Sequence, residues 1–220
     1  YPNGGFGGTL TDTKDMAERE VVLGVTGSIG AYKAADLVRR LKEQGCAVTC
    51  VMTKEAAQFI TPLTLQALSG RKVYTELFGL EESAVIHTQL ADRANLVVIA
   101  PATANVIAKL AHGLADDLLT CVALASTAPV LIAPAMNVHM YEHPTVQDNI
   151  NRLKALRYHF IGPQVGRLAC GYDAIGHLAE VDEIVRAALA LLTSPQRVAT
   201  HAALTRSQPP RSVRKVRLRS

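Results

Sequence analysis

Residues 21–41, VVLGVTGSIGAYKAADLVRRL, pass without a break from β-branched apolar residues through a glycine turn into a helical pattern. No other feature restricts the fold as much. Val21 to Thr26 is apolar enough for burial on both faces, while Ala34, Leu37, Val38 and Leu41 recur at helical spacing within Ala31 to Gln44, closed by Gly45. A doubly buried strand belongs in a parallel sheet, and a helix leaving its carboxyl end begins a right-handed crossover. Further strand signals follow at Ala47 to Met52, Leu96 to Ala100, Val130 to Ala133 and, more weakly, His159 to Ile161. Between them the periodicity predicts helices over Pro62 to Leu68, Ala104 to His112, Asp117 to Ser126, Thr145 to Leu156 and Val181 to Leu192. The expected architecture is α/β, with helices on both faces of a parallel sheet.

Ligands of such sheets gather beyond the carboxyl ends of the strands. The segment GVTGSIGAYK lies there, where unpaired amides and the positive end of the helix dipole favour an anion, so Gly27 and Ser28 suit a phosphate. The spacing is neither the dinucleotide G-x-G-x-x-G nor a Walker A loop, and no acidic residue ends the second strand. Thr53, in VMTKEA, offers a hydroxyl instead, and a mononucleotide fits better than NAD. A plain glycine turn with a helix cap explains this stretch equally well. Three more segments come to the same edge: IAPATANVIAKLAHGLADDLLT, whose Pro101 to Asn105 opens the next helix, APAMNVHMYEHP with Asn137, and the glycine-punctuated GRLACGYDAIGHLAE with Cys170. VIHTQLADRANLVVIA places His87 before the third strand, and Asp116-Asp117 reads as the cap of the helix after Gly113.

Charge narrows the partners. The net +4 arises at the end of the chain, because seven of the 23 Lys/Arg and no acid lie in residues 195–220, leaving 16 against 19 Asp/Glu in the rest. A mildly acidic body argues against nucleic acid. The tail, with Pro209-Pro210, reads as a disordered basic segment, and residues 1–19 as a glycine-rich extension in which Met16 resembles a natural start. Residues 20–194 are the expected domain, and a chain that is 49% hydrophobic overall has enough apolar residues for its core. No apolar run reaches the roughly 18 residues of a membrane span, and no signal-peptide order opens the chain, so a cytoplasmic location is expected. Cys46, Cys50, Cys121 and Cys170 form no C-x-x-C pair and read as reduced thiols. His139 and His143, four apart, lack a third ligand and precede Pro144, so no metal site is expected.

Taken together, TGSIG, HTQLA, PATAN, PAMNVHM and ACGYDAIG stand in the order found in the flavin-dependent cysteine decarboxylases (HFCD flavoproteins), which this chain resembles over about residues 20–194. The resemblance implies a Rossmann-like, flavodoxin-like three-layer fold, FMN as cofactor, and a homotrimer or multiple of trimers with flavin near subunit interfaces. It is nearest to the branch that converts 4′-phosphopantothenoylcysteine to 4′-phosphopantetheine in coenzyme A biosynthesis, often fused to a phosphopantothenate–cysteine ligase; here that ligase would be a separate partner. By position the resemblance implies FMN contacts at Gly27, Ser28, Ile29, Thr53, Ala102, Thr103, Ala104 and Asn105. It implies catalytic roles for His87, Asn137 and Cys170, and substrate contacts at Asn137, Met140, Ala169 and Gly171. Gly30 stands where Ala is usual, Thr88 replaces an apolar residue, and His177 takes a place where Arg is common.

These residue types suit the implied chemistry. A cysteine carboxylate has no electron sink, and oxidation of its thiol to a thioaldehyde supplies one, for which a flavin is the acceptor. His87 would manage protons near neutral pH, Asn137 would orient the carboxylate without adding charge, and Cys170 would protonate the enethiolate at the end. Two alternatives differ in class. One is another superfamily enzyme, acting on peptidyl cysteine or prenylating FMN. The other is a non-catalytic FMN-binding regulatory subunit.

Overall fold

The apolar runs build one parallel sheet. In the computed structural model, which describes residues 19–78, 85–167 and 173–194, the strands are β1 (Arg19–Val25), β2 (Cys46–Met52), β3 (Leu96–Ala102), β4 (Val130–Pro134) and β5 (His159–Phe160). Their order is β2-β1-β3-β4-β5, every pairing is parallel, and Val21 stands opposite Val48 on one side and Leu96 on the other. β1 therefore lies between two neighbours, and its Val21 to Val25 are wholly buried, as expected for a strand covered on both faces.

Alternation along β1 sorts the core into two layers. Val21, Leu23 and Val25 face a cluster with Leu37 and Leu41 of α1 (Ala34–Glu43), Leu65 of α2 (Pro62–Ser69) and Ile184 of α8 (Val181–Thr193). Val22 faces the other way, toward Ile86 of α3 (Ile86–Arg93), Ile107 of α4 (Ala104–His112), Leu119 of α5 (Leu118–Ala125) and Ile150 of α7 (Pro144–Ala155). Each large apolar side chain buried in this way stabilises by about 1.5–3 kcal/mol, so the two layers together hold the sheet. Gly24 is part of that fit. A Cβ there would stand 2.4 Å from Leu119 Cδ1, and the missing side chain lets α5 close onto β1.

Three elements depart from the periodicity. The first helix opens as a 3-10 turn (Ile29–Lys33) before α1, with the Ser28 hydroxyl accepting from Gly30 N–H at 3.4 Å. α3 covers eight residues where no helix was expected, so His87, before β3 as the sequence placed it, sits in a first helical turn. Between β4 and α7, the short helix α6 (Val138–Glu142) occupies a stretch too brief for periodicity to register. β6 (Gln164–Arg167) and β7 (Asp173–His177) form a separate antiparallel hairpin. The N-terminal extension and the basic tail lie outside the described residues, apart from Arg19 at the start of β1. No helix among the described residues is long and apolar enough to cross a membrane.

Candidate functional site

The turns after β1 and β3 are joined by one hydroxyl. Thr26, the last polar residue before the glycine turn, is 1% exposed; its Oγ1 donates to the Pro101 carbonyl at 2.7 Å and accepts from the Thr103 N–H at 3.1 Å. Thr103 in turn caps α4, accepting from Val106 N–H at 3.4 Å. On the other side, the Thr53 amide donates to Val25 O at 3.0 Å, and its hydroxyl accepts from Ala56 N–H at 3.3 Å. A Cβ on Gly27 would lie 2.4 Å from the Glu55 Cβ. Glycine at 27 thus serves the closure of the 53–55 segment against the turn, a packing role the phosphate argument did not require.

These turns bound a cavity of about 340 Å³ at the carboxyl ends of β1, β2, β3 and β4. Gly27, Ser28, Thr53, Thr103, Ala104, Asn105 and Met140 line it. Ile29 is 62% exposed and Ala102 is wholly buried inside β3, and neither lines the cavity. Asn137 caps α6, its Oδ1 accepting from His139 N–H at 2.8 Å, one residue beyond the cavity-lining Met136. His87 stands apart from the cavity wall, with its Nδ1 buried and lacking a hydrogen-bond partner among the described residues. Ala169, Cys170 and Gly171 lie outside the described residues.

Sequence reasoning did not single out Thr26 or Lys109. Lys109 lines the cavity and reaches Asp116 at 2.7 Å and Asp117 at 2.9 Å. Partial burial pulls its ammonium down, but the bonds to both carboxylates outweigh that and hold it above the usual lysine range. The same Lys109 bond holds the Asp116 carboxyl below its usual range. Asp117 is also the N-cap of α5, in a capping box with Thr120, as the sequence suggested. The signal for Thr26 was present: a hydroxyl that ends an apolar strand directly before a glycine turn has backbone groups of neighbouring turns within reach. At His177, the Lys33 ammonium lies 3.3 Å from Nε2 and 3.5 Å from Glu180 Oε1.

Cys50 is fully buried, and burial pushes its thiol up to about 12, while the Cys46 and Cys121 thiols are pushed up by the same cause. All three are free and none lines the cavity. His143 accepts from Thr145 N–H through Nδ1 at 3.3 Å and caps α7, which accounts for one member of the His139/His143 pair.

The cavity falls in the size range of small-molecule sites. Its hydroxyl donors at Ser28, Thr53 and Thr103, and the amides of the glycine turn, suit a phosphate. The small Ala104 and Ala135 beside Met136 and Met140 suit a flat ring.

The family described as Flavoprotein matches residues 9–193. The "Coenzyme A biosynthesis bifunctional protein CoaBC" of Bacillus subtilis (strain 168) is 52% identical over 174 residues, covering 79% of this chain and 43% of its own length. This chain thus spans less than half of that relative. The "Probable phosphopantothenoylcysteine decarboxylase" of Streptococcus mutans is 47% identical over 171 residues, covering 76% of this chain and 96% of its own. Among solved structures, a cysteine-to-serine variant of PPC decarboxylase complexed with pantothenoylaminoethenethiol is similar with a TM-score of 0.73 and 31% identity, over 81% of this chain and 100% of that one. The FMN-dependent cysteine decarboxylase SpaF gives 0.70 and 31%, over 80% and 97%. A family match over most of the chain, relatives near half identity and a shared fold place this chain in the Flavoprotein family.

Proposed function

We propose that this chain binds FMN and decarboxylates 4′-phosphopantothenoylcysteine to 4′-phosphopantetheine in coenzyme A biosynthesis. The observation that carries the reading is the cavity at the strand ends, where Thr26 holds the β1 and β3 turns in one piece and hydroxyl donors stand beside small residues. The donor set fits FMN: Gly27, Ser28 and Thr53 would hold the phosphate, and Thr103, Ala104 and Asn105 would border the ring. Lys109 is a cation of the wall already paired with two carboxylates, so neutral donors and turn amides would carry the phosphate. The names of the Bacillus, Streptococcus and PPC decarboxylase relatives support the substrate.

When bound, FMN supplies the two-electron acceptor for thiol oxidation and the donor for the final reduction. The remaining steps fall to the protein. His87 would take the thiol proton as the C–S bond becomes C=S. Asn137, rigidly placed as the α6 cap, would orient the carboxylate, whose loss as carbon dioxide moves the C–C electron pair toward sulfur. Cys170 would return a proton to the resulting enethiolate. His87 lies away from the cavity wall of its own chain, which suits the trimer implied by the resemblance, with sites shared between copies. The bifunctional relative supports a ligase partner that supplies the cysteine adduct.

Purified protein should be yellow, release FMN and not FAD on denaturation, and liberate carbon dioxide from 4′-phosphopantothenoylcysteine in preference to a peptide ending in cysteine. Release of FAD would overturn the cofactor, and preference for the peptide would transfer the activity to the peptidyl branch. A monomer by light scattering would remove the shared site.

A further inference from the structure

The hairpin of β6 and β7 is irregular at one point. Gln164 pairs with His177 and Val165 with Ile175, so Gly176 is the extra residue of a β-bulge. Its φ of +131° is one that side-chain-bearing residues rarely adopt. A Cβ at this position would stand 2.2 Å from the Met136 carbonyl oxygen and 3.5 Å from Val138 N. The Gly176 carbonyl, put out of the ladder by the bulge, accepts from the Met136 N–H at 3.0 Å.

Met136 lines the cavity, and Asn137 is the next residue, its side chain committed to the α6 cap. The bond from the Met136 amide therefore holds the peptide unit before Met136, and the glycine backbone lies so close to the unit after it that no Cβ fits between them. The second of these units leads directly into Asn137. We propose that Gly176 is a positioning residue: its bulge clamps the Met136 backbone and thereby sets where Asn137 presents its amide to the substrate carboxylate. The inference rests on the decarboxylase reading above.

The role has a signature that general structural support lacks. The substrate carries the carboxylate and the product, 4′-phosphopantetheine, does not. Displacing Asn137 should therefore weaken substrate and spare product. For Gly176→Ala we expect FMN content near that of the wild type, a rise of about tenfold or more in KM for 4′-phosphopantothenoylcysteine, and unchanged inhibition by 4′-phosphopantetheine. Gly45→Ala is the control, since Gly45 also has a positive φ, +76°, with nothing within 4 Å of a built Cβ. It should carry the backbone strain without the effect on KM. In an Asn137→Ala background, Gly176→Ala should add little, because the interaction it supports is already gone.

Equal weakening of substrate and product, an unchanged KM, or full additivity with Asn137→Ala would overturn the inference. Should Gly176→Ala fail to fold, hydrogen exchange on the wild-type protein still decides, because the clamp requires a protected Met136 amide, and exchange at the rate of an unstructured peptide would refute it. A wild type that releases no carbon dioxide would bring down the functional reading and this inference with it. An active wild type with any of the overturning results above would bring down the inference alone.

Discussion

The two sides of the cavity are built by different means. On the β1–β3 side, a buried hydroxyl at Thr26 links turns that follow adjacent strands, and Thr103 and Ser28 cap the helices that leave them. On the β4 side, Met136, the residue before Asn137, donates its amide to Gly176 of a hairpin some 40 residues further along the chain. Adjacent parallel strands bring their carboxyl ends together as a consequence of the sheet itself, so the first side is preorganised by the fold. The second needs a separate element to lean on. Under the proposed function, cofactor binding falls to the preorganised side and substrate handling to the side assembled from distant pieces.

The largest test of that division is His87→Asn. Loss of a general acid–base group should lower turnover by about 10²–10⁴-fold, while FMN content, measured by absorbance after purification, stays at the wild-type level. Loss of FMN together with activity would place His87 on the cofactor side and break the comparison.

Thr26→Val probes the other side. The valine keeps the shape but leaves the Pro101 carbonyl and the Thr103 amide without their buried partner, at a cost of about 1–3 kcal/mol in denaturant unfolding. FMN affinity should fall with it, by titration of the apoprotein, while the KM of the FMN-saturated enzyme should hardly move. A change confined to KM would reverse the assignment of the two sides.

The smallest effect is expected at Gly30. A Cβ there would meet Leu178 Cβ at 3.5 Å, an ordinary contact, and its φ is not among the positive ones. Gly30→Ala should therefore stabilise by about 0.4–1 kcal/mol, chiefly by restricting the unfolded chain, and raise the melting temperature without altering FMN binding. Destabilisation would show that the turn needs freedom at this position.

Much of the β1–β3 side is legible in the amino-acid sequence. Ser28, Thr53 and Thr103 to Asn105 follow strands that doubly apolar runs announce, and the ends of parallel strands share one edge. Ile29 and Ala102 stand in the same motifs, yet one points to solvent and the other is packed in β3, because neighbours in a motif need not share a face. α3 and α6 escaped for a different reason. Helices of eight and five residues hold too few turns for an apolar period to stand out from chance.

The chain's own pattern determined the parallel sheet, the two covering layers, the strand-end location of the turns and the cap at Asp117, all of which follow from contacts between near neighbours in sequence or from burial on both faces of a strand. Tertiary structure alone decided that Gly27 serves packing against Glu55, that Thr26 joins two turns, that Lys109 is neutralised by two carboxylates, and that Gly176 holds Met136. The Thr26, Gly27 and Gly176 contacts join residues far apart in the chain, and Lys109 meets its carboxylates only because the loop after α4 turns back on it. None leaves a periodic trace, because a contact of this kind is set by where strands, turns and hairpin arrive in space and not by the residues on either side.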